Sequence, residues 1–151
     1  MSIEAIRAAV AAVCDPEYPD LTIEDLGILE RVSFDATDGS LLIELVPTVM
    51  GCPALSVIEA DVVAAARGAG AVEVVVRFLA LPLWSSERIR PEARNHLARE
   101  YTVAIRRPGG AIACPVCGSA EVEHRSDFGS TPCRSVSWCP ACRNPIEVLR
   151  R

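Results

Sequence analysis

Cys114-Pro-Val-Cys117 and Cys139-Pro-Ala-Cys142 are the two stretches that decide the fold at the C-terminal end of this 151-residue chain. Each Cys-x-x-Cys segment can form a turn that aims two sulfurs at one point, so that two such turns give four thiolates in a tetrahedral set. A redox pair of the thioredoxin type would need a βαβ context, and two disulfides would need an oxidising compartment. We therefore predict that these four cysteines bind one metal ion.

The segment between the two cysteine pairs is typical of a zinc ribbon. Residues 121–125 predict an outward strand, residues 127–132 a turn and residues 134–138 a returning strand. Zinc is the favoured metal, and a rubredoxin-like iron site with similar Cys-Pro-x-Cys turns stays as the alternative. We interpret His124 as a surface residue, since four sulfurs already fill a tetrahedral zinc site.

Cys133 is the extra cysteine of this region. It precedes Cys139 by six residues, and along an extended strand at about 3.3 Å per residue it would lie about 20 Å from the metal. A ligand role would require the strand to fold back. Two interpretations of Cys133 remain open, a small apolar residue or an exposed reactive thiol.

Length and composition predict a soluble protein with two parts. A chain of 151 residues with 50% hydrophobic residues allows one domain of about 100 residues and a small module that metal binding must help to fold. The sequence contains no long apolar run, no leader pattern and no lipidation signal. We expect a cytoplasmic location, reduced cysteines and no contact with a membrane.

The charge distribution argues against a nucleic-acid partner. The chain has a formal net charge of −5 and no lysine. Residues 1–110 contain ten Arg and sixteen acidic residues, and residues 111–151 contain five Arg and four acidic residues. This distribution contains no basic stripe of the kind that binds phosphate backbones.

The first hundred residues predict an α-β-β-α-β-α order and hence an α+β domain. Apolar residues at helical spacing follow a possible N-cap at Ser2, and the Asp38-Gly39 dipeptide predicts a turn between two strands. The predicted elements are a helix ending at Asp15-Pro16, strands at 28–34 and 41–46, a helix from Pro53, a strand at 72–81 buried on both faces or paired in parallel, and a helix from Pro91 to Tyr101. We assign residues 1–105 to this domain, residues 106–110 to a linker and residues 111–151 to the ribbon.

Gly51-Cys52-Pro53 is the segment of this domain with the most chemical content. Because Pro53 suits the first helical position, Cys52 is predicted at the N-cap, where the helix dipole would lower the pKa of its thiol. Such a sulfur is a nucleophile or a soft-metal ligand. The alternative is a small buried residue at a tight turn, and both interpretations remain open. Cys14 is interpreted as the buried end of the first helix.

Acidic residues cluster in the loop that follows the first helix. We expect most of them to be solvated, although one or two could orient Cys52 across the fold. The cluster consists of Asp15, Glu17, Asp20, Glu24 and Asp25. No catalytic triad and no phosphate-binding loop accompany it, so the residues alone do not predict an enzyme.

Three segments resemble the iron-sulfur cluster assembly family of small α+β domains over residues 1 to about 105. They are Asp15-Pro16-Glu17, Asp25-Leu26-Gly27-Ile28 and Thr48-Val49-Met50-Gly51-Cys52-Pro53. The tail, with Phe128-Gly129-Ser130-Thr131 before Cys133, is similar to one branch of that family, which accompanies a multicomponent phenylacetyl-CoA epoxidase.

The resemblance implies an accessory or maturation role and no catalytic activity of the chain itself. In the family the thiol matching Cys52 holds or passes on iron or a cluster, with the acid matching Asp25 and the hydroxyl matching Thr48 nearby. The implied partners are a di-iron oxygenase subunit and a reductase with a two-iron cluster. A non-catalytic adaptor that holds these subunits together is the alternative.

The number of available thiols limits how iron could be bound. An iron-sulfur cluster needs about four thiolate or equivalent ligands, and Cys52 supplies one. Two chains could share a cluster in a homodimer, Cys133 could contribute a second thiol, or the protein could bind iron only briefly. The sequence leaves these three possibilities open.

Overall fold

The computed structural model describes residues 2–107 and 109–149 and has the predicted mixture of helices and strands. The chain forms two compact units, Met1–Trp84 and Ser85–Arg151. The helices are α1 (Ile3–Ala11), α2 (Ala54–Gly68) and α3 (Pro91–Glu100), and the strands are β1 (Leu29–Phe34), β2 (Leu41–Leu45), β3 (Val74–Phe78), β4 (Val103–Ala104), β5 (Glu123–Ser126), β6 (Arg134–Cys139) and β7 (Asn144–Leu149). From the sequence, the first domain was predicted to end at residue 105. That domain boundary stays a prediction, because dividing the chain into compact units does not test which segments fold independently. Pro108 of the proposed linker lies outside the described residues.

The first unit is built on a three-stranded sheet in the order β1-β2-β3. Strands β1 and β2 form the expected antiparallel hairpin, whose turn contains Gly39 at a φ of 75°. Strand β3 pairs in parallel with β2 after the crossover through α2, with Leu41 beside Val74 and Leu45 beside Phe78. The strand-helix-strand sequence therefore places β2 at the centre of the sheet.

Apolar side chains of the helices and of the sheet form the core of the first unit. Ser2 caps α1 by accepting a 3.2 Å hydrogen bond from the Ala5 N–H, and α1 contacts both α2 and β1. The largest fully buried side chains of this unit are Ile6, Val10, Ile23, Leu41, Ile43, Leu45, Val46, Ile58 and Val62. None of the helices in the described part of the chain is long and apolar enough to cross a bilayer.

Two local expectations for the first unit were wrong, and a third was confirmed in one of its two alternatives. The N-cap of α2 is Pro53, so Cys52 lies one residue outside the cap. Strand β3 pairs in parallel with β2, as one alternative predicted, but it is not buried on both faces: its burial alternates, and Val75 is 45% exposed. Cys14 is exposed, because α1 ends at Ala11 and the chain continues into an isolated bridge with Thr22.

The second unit contains a four-stranded sheet in the order β4-β7-β6-β5. The antiparallel pair β5-β6 corresponds to the outward and returning strands of the predicted ribbon. Strand β7, which pairs with β6, and the short strand β4, which pairs in parallel with β7, were not anticipated. The buried core beneath this sheet consists of Ala104, Cys114, Cys139, Ile146 and Val148.

Replacing Ile43 by Ala should lower the free energy of unfolding of the first unit by about 2–5 kcal/mol, because a fully buried side chain of the central strand is truncated. Val75→Ala, at an exposed position of β3, should cost less than about 1 kcal/mol. Urea unfolding can be followed through the fluorescence of buried Trp84 in a Trp138→Phe background. Equal losses for the two variants would contradict this packing.

Candidate functional site

The two Cys-x-x-Cys segments converge on one point in the second unit. The sulfurs of Cys114, Cys117, Cys139 and Cys142 all lie within 4.8 Å of one another. The Sγ atoms of Cys114 and Cys142 are 3.6 Å apart, as are those of Cys117 and Cys139. Zinc–sulfur bonds of about 2.3 Å in a tetrahedron separate the sulfurs by about 3.8 Å. The donor set therefore fits one ion bound by four thiolates.

Equivalent backbone turns aim the sulfurs inward. In the first turn the Gly118 N–H donates to the Cys114 carbonyl at 2.8 Å, and in the second the Arg143 N–H donates to the Cys139 carbonyl at 2.8 Å. Gly118 has a φ of 77° and Arg143 a φ of 59°. This left-handed conformation is easy for glycine and unfavourable for arginine. The second turn is therefore held by its surroundings more than by local preference.

Because these thiols are closely packed, two of them have pKa values shifted in opposite directions. The pKa of Cys142 falls to about 7, chiefly because of a hydrogen bond with Asn144. The backbone N–H of Ser119 acts to lower the pKa of Cys117, but burial and the neighbouring sulfurs outweigh it and raise that pKa to about 11. Nearby thiols compete in this way for protons and for negative charge. A divalent cation removes the competition, since it can bind all four as thiolates.

Cys133 and His124 lie outside this group of four. Cys133 is buried, and its Sγ atom is 3.0 Å from the hydroxyl oxygen of Thr131. Cys133 is therefore not an exposed reactive thiol, and its burial supports the interpretation as a small apolar residue. His124 is exposed on β5, with its Nε2 atom 3.1 Å from a carboxylate oxygen of Asp127, which agrees with its interpretation as a surface residue.

The Cys52 thiol lies in a half-buried turn of the first unit. Its backbone N–H donates to the Val49 carbonyl at 3.2 Å, and its carbonyl accepts from the Leu55 N–H at 3.1 Å. Burial raises the pKa of this thiol, the backbone N–H of Ala54 opposes the rise, and the negative charges of Glu17 and Asp15 add to it. The lowered pKa expected from the sequence was wrong, because burial and loop carboxylates outweigh the helix terminus.

The acidic loop supplies the charges that act on Cys52. Asp15 is buried, and one of its carboxylate oxygens accepts a 2.8 Å hydrogen bond from the Glu17 N–H. The sequence indicated that one or two acidic residues could orient Cys52 without identifying them, and Asp15 and Glu17 are the two whose charges act on its thiol. The Asp15-Pro16-Glu17 segment was the available signal, since proline fixes the backbone between the two acids.

Asp25 and Thr48, the other two predicted site residues, lie in separate segments. Asp25 and Thr22 cap each other: the Asp25 carboxylate accepts from the Thr22 N–H at 3.1 Å, and the Thr22 hydroxyl accepts from the Asp25 N–H at 3.0 Å. Thr48 is half-buried in the segment between β2 and Cys52. The reciprocal bonds give Asp25 a definite role in shaping the acidic loop.

Comparisons with known proteins agree with both units. A family model described as "PaaD zinc beta ribbon domain" matches residues 98–150, and one described as "Iron-sulfur cluster assembly protein" matches residues 3–76. A protein of Escherichia coli (strain K12), named as a putative subunit of 1,2-phenylacetyl-CoA epoxidase, is 32% identical over 157 residues, covering 98% of this chain and 92% of its own length. The chain belongs to the family of this phenylacetyl-CoA epoxidase subunit. Membership of this family confirms the resemblance that the sequence motifs indicated.

Solved structures support the fold class of this family member. A domain of unknown function from Bacillus anthracis aligns with a TM-score of 0.55 and 29% identity, covering 63% of this chain and 90% of the domain. A conserved hypothetical protein from Thermotoga maritima aligns with a TM-score of 0.50 and 26% identity, covering 64% and 94%. Together with the family matches, they confirm an α+β assembly-type domain followed by a β-rich ribbon.

Cys139→Ser should remove most of the bound zinc, because it deletes one of four converging sulfurs. Cys133→Ser should retain one zinc per chain, since Cys133 lies outside that set. Elemental analysis of both variants, purified under reducing conditions, measures the difference. Equal zinc loss in the two variants would contradict the assignment of ligands.

Proposed function

We propose that this protein is a non-catalytic accessory subunit of a phenylacetyl-CoA epoxidase that assists iron or iron-sulfur cluster assembly in an oxygenase or reductase partner. The observation that carries the proposal is the half-buried Cys52 thiol beside the charges of Asp15 and Glu17. This constellation lies in the unit that matches the iron-sulfur cluster assembly family. The name of the Escherichia coli relative supports the choice of complex.

Iron, as cargo, would change the charge balance around Cys52. Burial and two carboxylates keep the thiol protonated at neutral pH, since each disfavours the thiolate. The same carboxylates attract a divalent cation, and an arriving cation favours the thiolate that can bind it. When the cargo leaves, proton uptake by the sulfur restores the neutral thiol. Such a residue binds iron while it is being presented and does not retain it.

The supply of ligands favours brief binding or sharing over storage. One thiolate cannot hold a cluster that needs about four ligands. The burial of Cys133 against Thr131 argues against that residue as a second transfer thiol in the folded protein. Thr48 and Asp25 fit supporting roles, Thr48 in the segment that leads to Cys52 and Asp25 in the turn of the acidic loop.

The ribbon has a different task in this proposal. A site with four protein sulfurs leaves no open coordination position, so zinc there is structural and not catalytic. We assign the ribbon to docking of the oxygenase or reductase partner. We place the protein in the cytoplasm, where thiols stay reduced, since all seven cysteines lie outside disulfides.

Cys52→Ser should abolish maturation of the partner while the ribbon keeps its zinc, because serine is a much poorer ligand for iron than a thiolate. Cys14→Ser, at an exposed cysteine of the same unit, is the matched control and should behave like the wild type. The readout is iron content and epoxidation rate of the oxygenase and reductase co-expressed with each variant. Full activity with Cys52→Ser would overturn the proposal.

An adaptor that only holds the oxygenase subunits together is the second candidate. The raised pKa of Cys52 favours it, because a protonated thiol is less reactive. An adaptor would tolerate Cys52→Ser, whereas Cys139→Ser, which disrupts the ribbon, would release the partners. Size-exclusion chromatography of the complex with each variant separates the two functions.

A further inference from the structure

The outer edge of β3 offers hydrogen-bonding groups to another strand. The Leu41 N–H donates to the Glu73 carbonyl, and the Leu79 N–H donates to the Leu45 carbonyl, both at 2.8 Å. Since backbone groups alternate in direction along a strand, the odd-numbered residues of β3 face β2. The N–H and C=O groups of Val74, Val76 and Phe78 therefore point away from the sheet, where no strand follows in residues 2–107 and 109–149.

The opposite edge of the same sheet is less suited to pairing. Strand β1 has a register shift between Leu29 and Arg31. Such a bulge interrupts the regular spacing of donors and acceptors and is one way in which proteins protect a sheet edge. Strand β3 pairs with β2 in regular register over all five of its residues. The edge of β3 is thus the regular, unprotected one.

The charges beside this edge are self-complementary. Val75 and Arg77 of β3 and Glu73, the residue directly before β3, are exposed and share one face, because side chains alternate along an extended chain. On that face Glu44 is engaged by Arg31 at 2.6 Å and reaches Arg77 only at 3.9 Å. The Arg77 guanidinium therefore makes a long contact with Glu44 and acts electrostatically on Asp35, while its side chain stays 58% exposed to a further partner. Glu73 carries the opposite charge and lies two residues before Val75, whereas Arg77 lies two residues after it.

We propose that β3 pairs with β3 of a second copy of this chain, antiparallel and centred on Val75. In this register Glu73 of each copy lies opposite Arg77 of the other, and the two Val75 side chains meet at the two-fold axis. Val74 lies opposite Val76 of the second copy, and both have outward backbone groups, so the two residues exchange hydrogen bonds as a close pair. The backbone pattern also permits registers centred on Val74 or Val76, and the Glu73–Arg77 charge pattern selects the register centred on Val75.

The resulting sheet is continuous on both faces. Val74 and Val76 are half-buried on the side of the sheet that also carries buried Ile43, and pairing places that side of both copies together. The charges of Arg31, Glu44 and Arg77 continue across the axis to Glu73 of the second copy. A contact of one short strand is small, so the dimer should be weak, dependent on concentration and sensitive to salt.

Opposite charges at the axis test this pairing directly. Val75→Lys and Val75→Asp should each be monomeric, because like charges meet across the axis, whereas an equimolar mixture should form a heterodimer. Sedimentation velocity over a range of concentrations measures the association. The mixture should associate at least about tenfold more tightly than either variant alone.

The same pair of substitutions at Val57 provides the matched control. Val57 on α2 is 46% exposed and Val75 is 45% exposed, so the two positions are matched in exposure. The Val57 variants should dimerise like the wild type. Glu73→Arg removes the charge that lies opposite Arg77 of the second copy. This variant should weaken the dimer even though Val75 at the two-fold axis is unchanged.

A wild-type chain that stays monomeric at every concentration would overturn the proposal, and so would a dimer that ignores substitutions at Val75. The pairing does not depend on the proposed function. Cys52→Ser should leave dimerisation unchanged, so a failure in either experiment is distinguishable from a failure in the other.

Discussion

Convergence of four sulfurs within 4.8 Å is the constraint on which the second unit depends. Two of the sulfur-bearing residues, Cys114 and Cys139, are also members of its small core, beside Ile146 and Val148. Without the metal, adjacent thiols with different proton affinities would occupy the buried cluster beside Ile146 and Val148. Because Ile146 and Val148 are the larger aliphatic members of this cluster, we expect metal binding to supply much of the free energy that folds the part of the unit around the sulfurs.

The first unit is stabilised differently. Its core is a continuous set of aliphatic side chains on the helices and on the central strand. The turn that contains Cys52 leads from that sheet into α2 and is only half-buried. A rigid scaffold with an accessible turn suits a transient site, since binding and release need not disturb the core.

The sequence was sufficient where the signal was local. Cysteine spacing predicted the convergence of the four ribbon cysteines, and Asp38-Gly39 predicted the hairpin. Strand β7 was missed because it begins directly after a cysteine turn and includes Pro145, which obscures its alternation, and β4 because two residues carry no pattern before their distant partner is known. The pKa of Cys52 is raised first by burial and then by carboxylates about 35 residues away, and local helix-terminus reasoning includes neither.

The chemistry of the two cysteine sites follows from their different ligand counts. Four thiolates satisfy a divalent ion completely, so the ribbon binds its metal permanently and the ion offers nothing to a partner. In the role that we propose for Cys52, a single sulfur, kept protonated by burial and by two neighbouring acids, would compete weakly for iron and leave most coordination positions open. A client with more ligands would then take the metal. On this view, weak binding by Cys52 is what allows transfer, and a stronger site would hold the iron that its partner needs.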